Sequence, residues 1–179
     1  MNKMHIRNLG LLLLLGVAGC GRPWVRVDVD THVEAQLPNT PQVLGMATDK
    51  QQGKLYSTTD DVALYQILRM TFTDSTASFA GPQARQDFYN DAARTLLHNQ
   101  QGSLLVHRRS FATRAGEGME LEFTALHQGT KERVTKYNRS LLVGRVGYSF
   151  SFIPHHGMAP LDRRTDEQRS RFFASITVK

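Results

Sequence analysis

The chain has 179 residues, 40% hydrophobic and 21% charged, a balance that can bury a core and excludes an intrinsically disordered chain. Twenty-two Lys and Arg against sixteen Asp and Glu give a formal charge of +6, and the basic residues are dispersed rather than gathered into the stripe that binds nucleic acid. One cysteine, Cys20, excludes an internal disulfide, so the fold must hold through its core alone.

Lys3 and Arg7 give a positive start. Leu9 to Leu15 form an apolar stretch broken only by Gly10, and small residues precede Cys20. That order is the layout of a secretory signal peptide. The apolar run falls short of the about 20 residues that a spanning helix needs. Val17-Ala18-Gly19-Cys20 resembles the bacterial lipobox. The resemblance implies a lipid on the Cys20 thiol, cleavage after Gly19 and acylation of the new amine. Each buried methylene contributes about 0.8 kcal/mol, and two or more chains anchor stably where one is marginal. Residues 1–19 are therefore expected to be a lipoprotein signal peptide, 20–30 the lipidated Cys20 and a short tether, and 31–179 a single domain. Losing Lys3 and Arg7 lowers the formal charge from +6 to about +4. The expected location is a bacterial cell membrane, reached by export. Gly21, where some lipoproteins have the Asp that retains them at the inner membrane, points to the outer membrane in a cell that has one.

A tether of about ten residues reaches at most roughly 35 Å, which keeps the domain near its membrane. Trp24 to Asp30 alternates: either part of the link is already a strand, or Trp24 sits at the lipid interface. His32 to Leu37, Gln42 to Thr48 and Lys54 to Thr59 read as strands. Val62, Leu64, Leu68, Met70 and Phe72 point one way, with Tyr65, Arg69 and Thr71 the other, the pattern of a half-buried strand. Asp74 to Pro82 reads as a loop. A helix is predicted over about 83 to 100, with Phe88, Ala92 and Leu96 on one face and Gly102 ending it.

Ser103 to Arg114 reads as a strand that turns near Gly116-Glu117-Gly118. Met119, Leu121, Phe123 and Ala125 then alternate with Glu120, Glu122 and Thr124, which predicts a wet face for the second set. Gln128-Gly129-Thr130 turns the chain. Glu132 to Val143 returns, and Gly144-Arg145 reads as a two-residue hairpin with Gly first. Val146, Tyr148, Phe150 and Phe152 share one face. Gly147, Ser149 and Ser151 share the other, which suits a closely packed helix or solvent. Pro154 to Arg164 reads as a loop. Thr165-Asp-Glu-Gln168 has the capping-box pattern and opens a last helix from about 166 to 175, presenting Phe172 and Phe173.

Three stretches carry a family resemblance. They are Val33-Glu-Ala-Gln-Leu-Pro38 with Pro41, Asn138 to Phe152, and Arg171-Phe-Phe-Ala-Ser-Ile176, where Ile176 replaces a frequent Phe. Together they resemble the PsbP/Mog1-like fold, in a form common among small bacterial lipoproteins. The resemblance implies an α/β (α+β) class: a central antiparallel sheet of about six to eight strands flanked by helices, an α-β-α sandwich. The matched positions are core and turn residues, so no catalytic residue is carried over. Members act as auxiliary, binding or assembly proteins, an analogy of fold rather than of site.

Of the polar constellations, His155-His156 could offer metal nitrogens, with Asp162 and Asp166 as helpers. The spacings of a structural zinc site are missing, so no metal and no cofactor is expected. Asp28-Val-Asp30 and Asp60-Asp61 lack the glycine and glutamate spacing of a calcium loop and read as turn and surface carboxylates. Glu120 and Glu122 could pair for acid/base work, but strand alternation accounts for them. Ser103, His107 and Ser110 are not framed by Gly-x-Ser-x-Gly. The expected function is a non-catalytic binding or assembly module for an envelope protein partner, with no nucleic acid. The alternatives are an enzyme acting on envelope polymers, using a cleft near Glu120, His107 or His155, and a small-ligand or metal carrier. The expected contact surface is the less apolar sheet face or the loops at 74–82 and 154–164.

Overall fold

The computed structural model describes residues 23–48, 51–73, 79, 81–127 and 129–179. Residues 1–22, with the lipobox-like Val17–Cys20, lie outside the described residues. Ten strands and two helices follow one another: β1 (Val25–Asp28), β2 (Val33–Leu37), β3 (Gln42–Ala47), β4 (Gln51–Thr59), β5 (Ala63–Phe72), α1 (Pro82–His98), β6 (Leu104–Thr113), β7 (Gly116–Leu126), β8 (Arg133–Val143), β9 (Val146–Pro154), α2 (Arg163–Ala174) and β10 (Thr177–Val178). The fold is mixed α+β and dominated by sheet. Seven strands form one antiparallel sheet in the order β3-β4-β5-β9-β8-β7-β6, and β1-β2-β10 form a second, small one.

The two faces of the large sheet are covered differently. On one, the alternating residues Tyr65 and Ile67 of β5, Phe150 and Phe152 of β9 and Tyr137 and Leu141 of β8 meet α2 and the small sheet. Phe172 of α2 is fully buried there. The ring of Tyr65 stands edge-on to Trp24, Phe152 and Phe172, at 5.7, 5.3 and 5.4 Å between centroids, the geometry that aromatic quadrupoles prefer. Trp24 therefore packs on the core, and β1 belongs to the folded body, with Val27 and Val29 buried. Leu64, Leu68, Met70 and Phe72 occupy the opposite face and are partly buried. The predicted alternation of β5 holds, but both faces are apolar and the Tyr65 face is the deeper.

On the second face, Tyr89 and Ala93 of α1 pack on Met119, Leu121, Phe123 and Ala125 of β7 and Leu142 of β8. Gly147 lies under Phe88: a Cβ there would come within 3.0 Å of its ring. The small residue lets the helix approach closely. Ser149 and Ser151 instead accept hydrogen bonds from the Asn138 side-chain amide at 2.7 and 2.9 Å.

Local chemistry sets the helix ends. Gly81 precedes α1 and Pro82 opens it, where the missing N–H of proline costs nothing. Gly102 beyond its end has φ +62. Helix α2 begins one turn before the capping box. Asp162 is its N-cap, accepting from the Thr165 N–H at 3.1 Å and the Thr165 hydroxyl at 2.6 Å. Thr165 is thus a donor inside the first turn, because Asp162 stands three residues earlier with a better acceptor.

The largest correction concerns β7. Glu120, predicted to face water, is 7% exposed, and Thr124 is also buried. Glu120 lies against Arg139, which reaches the end of α2, and the Thr124 hydroxyl accepts from Arg133 at 2.9 Å.

Gly118 of β7 has no room for a side chain. A Cβ would sit 2.6 Å from Phe111 and 2.7 Å from Leu141. Gly118→Ala is expected to cost about 1–3 kcal/mol through overpacking, read as a lower urea midpoint. Phe111→Leu in the same chain should restore part of that loss. An unchanged midpoint for Gly118→Ala contradicts the packing.

Candidate functional site

Two polar clusters, two grooves and two strand edges carry the chemistry of the described residues. The first cluster spans three strands. Register places Glu120 opposite Arg109 of β6 and opposite Arg139 of β8. Arg109 donates from Nε to Glu120 Oε1 at 2.8 Å and also from Nη2. Arg139 Nε donates to Oε2 at 2.6 Å, and its Nη1 reaches the Phe173 carbonyl at 3.1 Å. The Arg139 guanidinium also lies between the Phe111 and Phe173 rings, 4.9 and 4.8 Å from their centroids, a cation–π clamp. Burial pushes the Glu120 carboxyl up, but hydrogen bonds from Arg139 and Arg109 outweigh it and hold the group below its ordinary range. Both oxygens carry charged donors, so the carboxylate is set as an electrostatic tie.

The second cluster joins the two sheets. Asp30 Oδ1 accepts the backbone N–H of His32 at 2.8 Å and of Val33 at 3.1 Å. Its Oδ2 accepts from Arg69 Nε and from the Tyr148 hydroxyl, both at 2.6 Å. Burial opposes the charge, yet Tyr148 and Arg69 hold Asp30 below the usual carboxylate range. Burial, then the Asp30 hydrogen bond, pushes the Tyr148 phenol up. Asp60 repeats the turn: it accepts from the N–H of Val62 and Ala63 at 2.8 and 2.9 Å and from the Tyr65 hydroxyl at 3.0 Å. Asp30 and Asp60 are turn carboxylates, as their sequence context indicated.

A groove of about 480 Å³ opens between the 154–164 loop, α2 and the β7-β8 surface, lined by Glu122, Tyr137, Pro160, Leu161, Asp166 and Arg169, among others. Thr135 positions the loop, accepting from the Ala159 N–H at 2.8 Å and donating its own N–H to the Gly157 carbonyl at 3.2 Å. Arg169 stacks 4.6 Å from the Tyr137 ring and binds Asp166 at 2.6 Å. Burial, then Glu122, pushes the Tyr137 phenol up to about 12. A smaller groove of about 190 Å³ lies between α1 and β6, beside Tyr89, Arg108 and Glu117.

The two adjacent histidines part company. His155 donates its backbone N–H to the Val62 carbonyl at 3.0 Å, and its Nε2 lies 3.0 Å from the Asp60 carbonyl and 3.1 Å from the Thr59 hydroxyl. His156 is exposed, with Nδ1 3.9 Å from Glu132. Among the described residues no group of three or more His, Cys, Asp or Glu is placed to hold a metal. His107 and Ser110 sit on opposite faces of β6, since His107 pairs with Glu122 and Ser110 with Met119. Ser103 donates its hydroxyl to the Leu97 carbonyl at 2.7 Å. The serines and His107 therefore form no triad. Among the described residues no helix is long and apolar enough to cross a membrane.

The edge strands escaped the sequence reading. Among the described residues seven large hydrophobic residues are exposed, and six stand on the two edges: Val43, Leu44 and Met46 on β3, Leu104, Leu105 and Val106 on β6. The Arg109–Glu120 pair had a legible signal: a hairpin closing at Thr113↔Gly116 puts residue 109 opposite 120. No protein-family model matches the chain, and no curated protein matches it.

Glu120 has a folded-state value below its unfolded one. It contributes stability in full above about pH 4.3, the ordinary Glu value, and loses it as pH falls through the folded value. Glu120→Gln is expected to cost about 2 kcal/mol at pH 7, the exposed Arg109 arm being screened. The gap to wild type should narrow as pH falls below that range. A gap constant across an acid titration, followed by urea unfolding at each pH, contradicts the pairing.

Proposed function

We propose that the chain is an exported lipoprotein, held at a bacterial membrane by lipid on Cys20. Its PsbP/Mog1-like domain is a non-catalytic binding or assembly module for an envelope protein partner. The observation that carries this reading is the gathering of exposed apolar side chains on the two end strands of the sheet, whose outer backbone groups pair with no strand among the described residues. Such an edge accepts an extended segment: main-chain hydrogen bonds give affinity and alternate side chains give specificity. β6 suits a foreign partner best. Its Leu104-Leu105-Val106 run is followed by His107, Arg108 and Arg109, a pattern that favours a strand with apolar and then acidic residues. The carboxylates that could do acid/base work support the same reading. Glu120 and Asp30 are saturated with donors, and neither has the raised value of a general acid. An anchor confines the domain near its partner, so a weak contact suffices.

Two readouts test this on the full-length gene product expressed in a bacterium. Intact mass of the membrane fraction should show loss of residues 1–19 and a gain of acyl mass, both abolished by Cys20→Ser. A photo-crosslinker at Leu105 should capture one discrete envelope protein, whereas one at exposed Glu167 should not. Met1 retained on an unmodified thiol overturns the anchor, and equal capture at both positions overturns the β6 contact.

A further inference from the structure

The two edges of the large sheet are built differently. β6 carries His107, Arg108 and Arg109 and a register shift between Leu105 and His107. Charge and bulges are devices by which an edge resists pairing with its own kind. β3 has neither. It reads Gln-Val-Leu-Gly-Met-Ala, with no charge and no proline, and all six residues are exposed. Its pairing with β4 runs unshifted from Gln42↔Ser57 to Ala47↔Gln52.

The hydrogen-bond phase of β3 follows from its hairpin. Thr48 and Gln51 exchange both backbone bonds, at 2.8 and 3.4 Å. Bonded and non-bonded pairs alternate along an antiparallel ladder. Met46, Leu44 and Gln42 therefore turn their N–H and C=O toward β4. Ala47, Gly45 and Val43 turn theirs outward, a set centred on Gly45.

We propose that β3 is the contact of a symmetric homodimer, paired antiparallel with β3 of a second copy about a two-fold axis at Gly45. The register is dictated by the outward groups. Gly45 meets Gly45 of the second copy, and Val43 meets Ala47 in both directions. Each of these pairs exchanges two backbone bonds, and the two seven-stranded sheets become one. The same register sets Leu44 opposite Met46 twice on one face. They are 59% and 44% exposed in the single chain and fall in the closely spaced, non-bonded pairs. A slip of one residue would mismatch the faces. Nothing lies within 4 Å of where a Cβ on Gly45 would stand, so the axis is open. Neutrality chooses the occupant: β3 meets itself without repulsion, whereas β6 pairing with itself would face arginine with arginine. A β3-to-β6 contact would be heterologous and would make no two-fold dimer. Six residues a side is well below the about 20–30 of a stable interface, so the dimer is expected to be weak, in the micromolar range. The inference rests on the reading of the edges as contact surfaces, but not on the lipid and not on β6.

Sedimentation equilibrium of the purified full-length gene product, in mild detergent from about 1 to about 200 µM, spans that weak range. A monomer–dimer equilibrium is expected. Met46→Lys should weaken it at least about tenfold, since like charges in one small apolar cluster repel. Gly45→Pro should do the same while leaving β4 paired, because the N–H it removes points outward. Unchanged circular dichroism and melting show that both variants fold. Arg108→Ala on β6 should leave the dimer as it was. A monomer at every concentration overturns the proposal. So does dimerisation of both folded variants as in wild type, or growth into open-ended oligomers. Loss of the Leu105 crosslink, by contrast, would touch only the β6 reading.

Discussion

A seven-stranded sheet is wider than what covers it, and the architecture turns on that mismatch. Six spacings of about 4.8 Å make it roughly 29 Å across, while a helix with side chains is about 10 Å wide. Among the described residues each face has one helix. Neither cover spans the sheet: α1 lies on β7 and β8, and α2 with the small sheet lies on β5, β9 and β8. Strand β3 and the Leu104–Val106 part of β6 overhang, and the exposed hydrophobic residues among the described residues collect there.

Polar groups knit the layers where apolar packing thins out. Asp30 reaches from the turn before β2 to Arg69 and Tyr148 on the large sheet. Glu120 gathers arginines from the strands on either side of it, and Arg139 continues to the end of α2. Glu120 is buried and Asp30 half-buried. Each has its charge matched and its oxygens bonded, so each resists protonation and fixes geometry. The surface presents backbone edges, aliphatic side chains and a scatter of cations.

Local patterns were legible. Alternation located the long strands, Pro82 and Gly102 bracketed α1, and Gly144-Arg145 closed its hairpin as read. What was not legible depends on distant pairing. Nothing near Val25 or Thr177 says that they join β2 to form a sheet. Glu120 looks wet until α2 and Arg139 are placed over it. Tyr65 looked like the polar side of β5, because a hydroxyl that bonds Asp60 in the fold reads as surface in the chain. The sheet edges could not be found at all without knowing that β5 pairs with β9, which sends β3 and β6 to opposite ends. The proposed lipobox is the reverse case, a signal that would be written wholly in local sequence.

That bare edges, rather than clefts, are the working surfaces is tested most directly by residue-resolved amide hydrogen exchange at low and high protein concentration. In dilute protein Val43, Gly45 and Ala47 should exchange freely while Leu44 and Met46, bonded to β4, stay protected; on concentration the first three should slow. Protection of Val43, Gly45 and Ala47 already in dilute protein would mean that the chain covers this edge itself, and the account would fail.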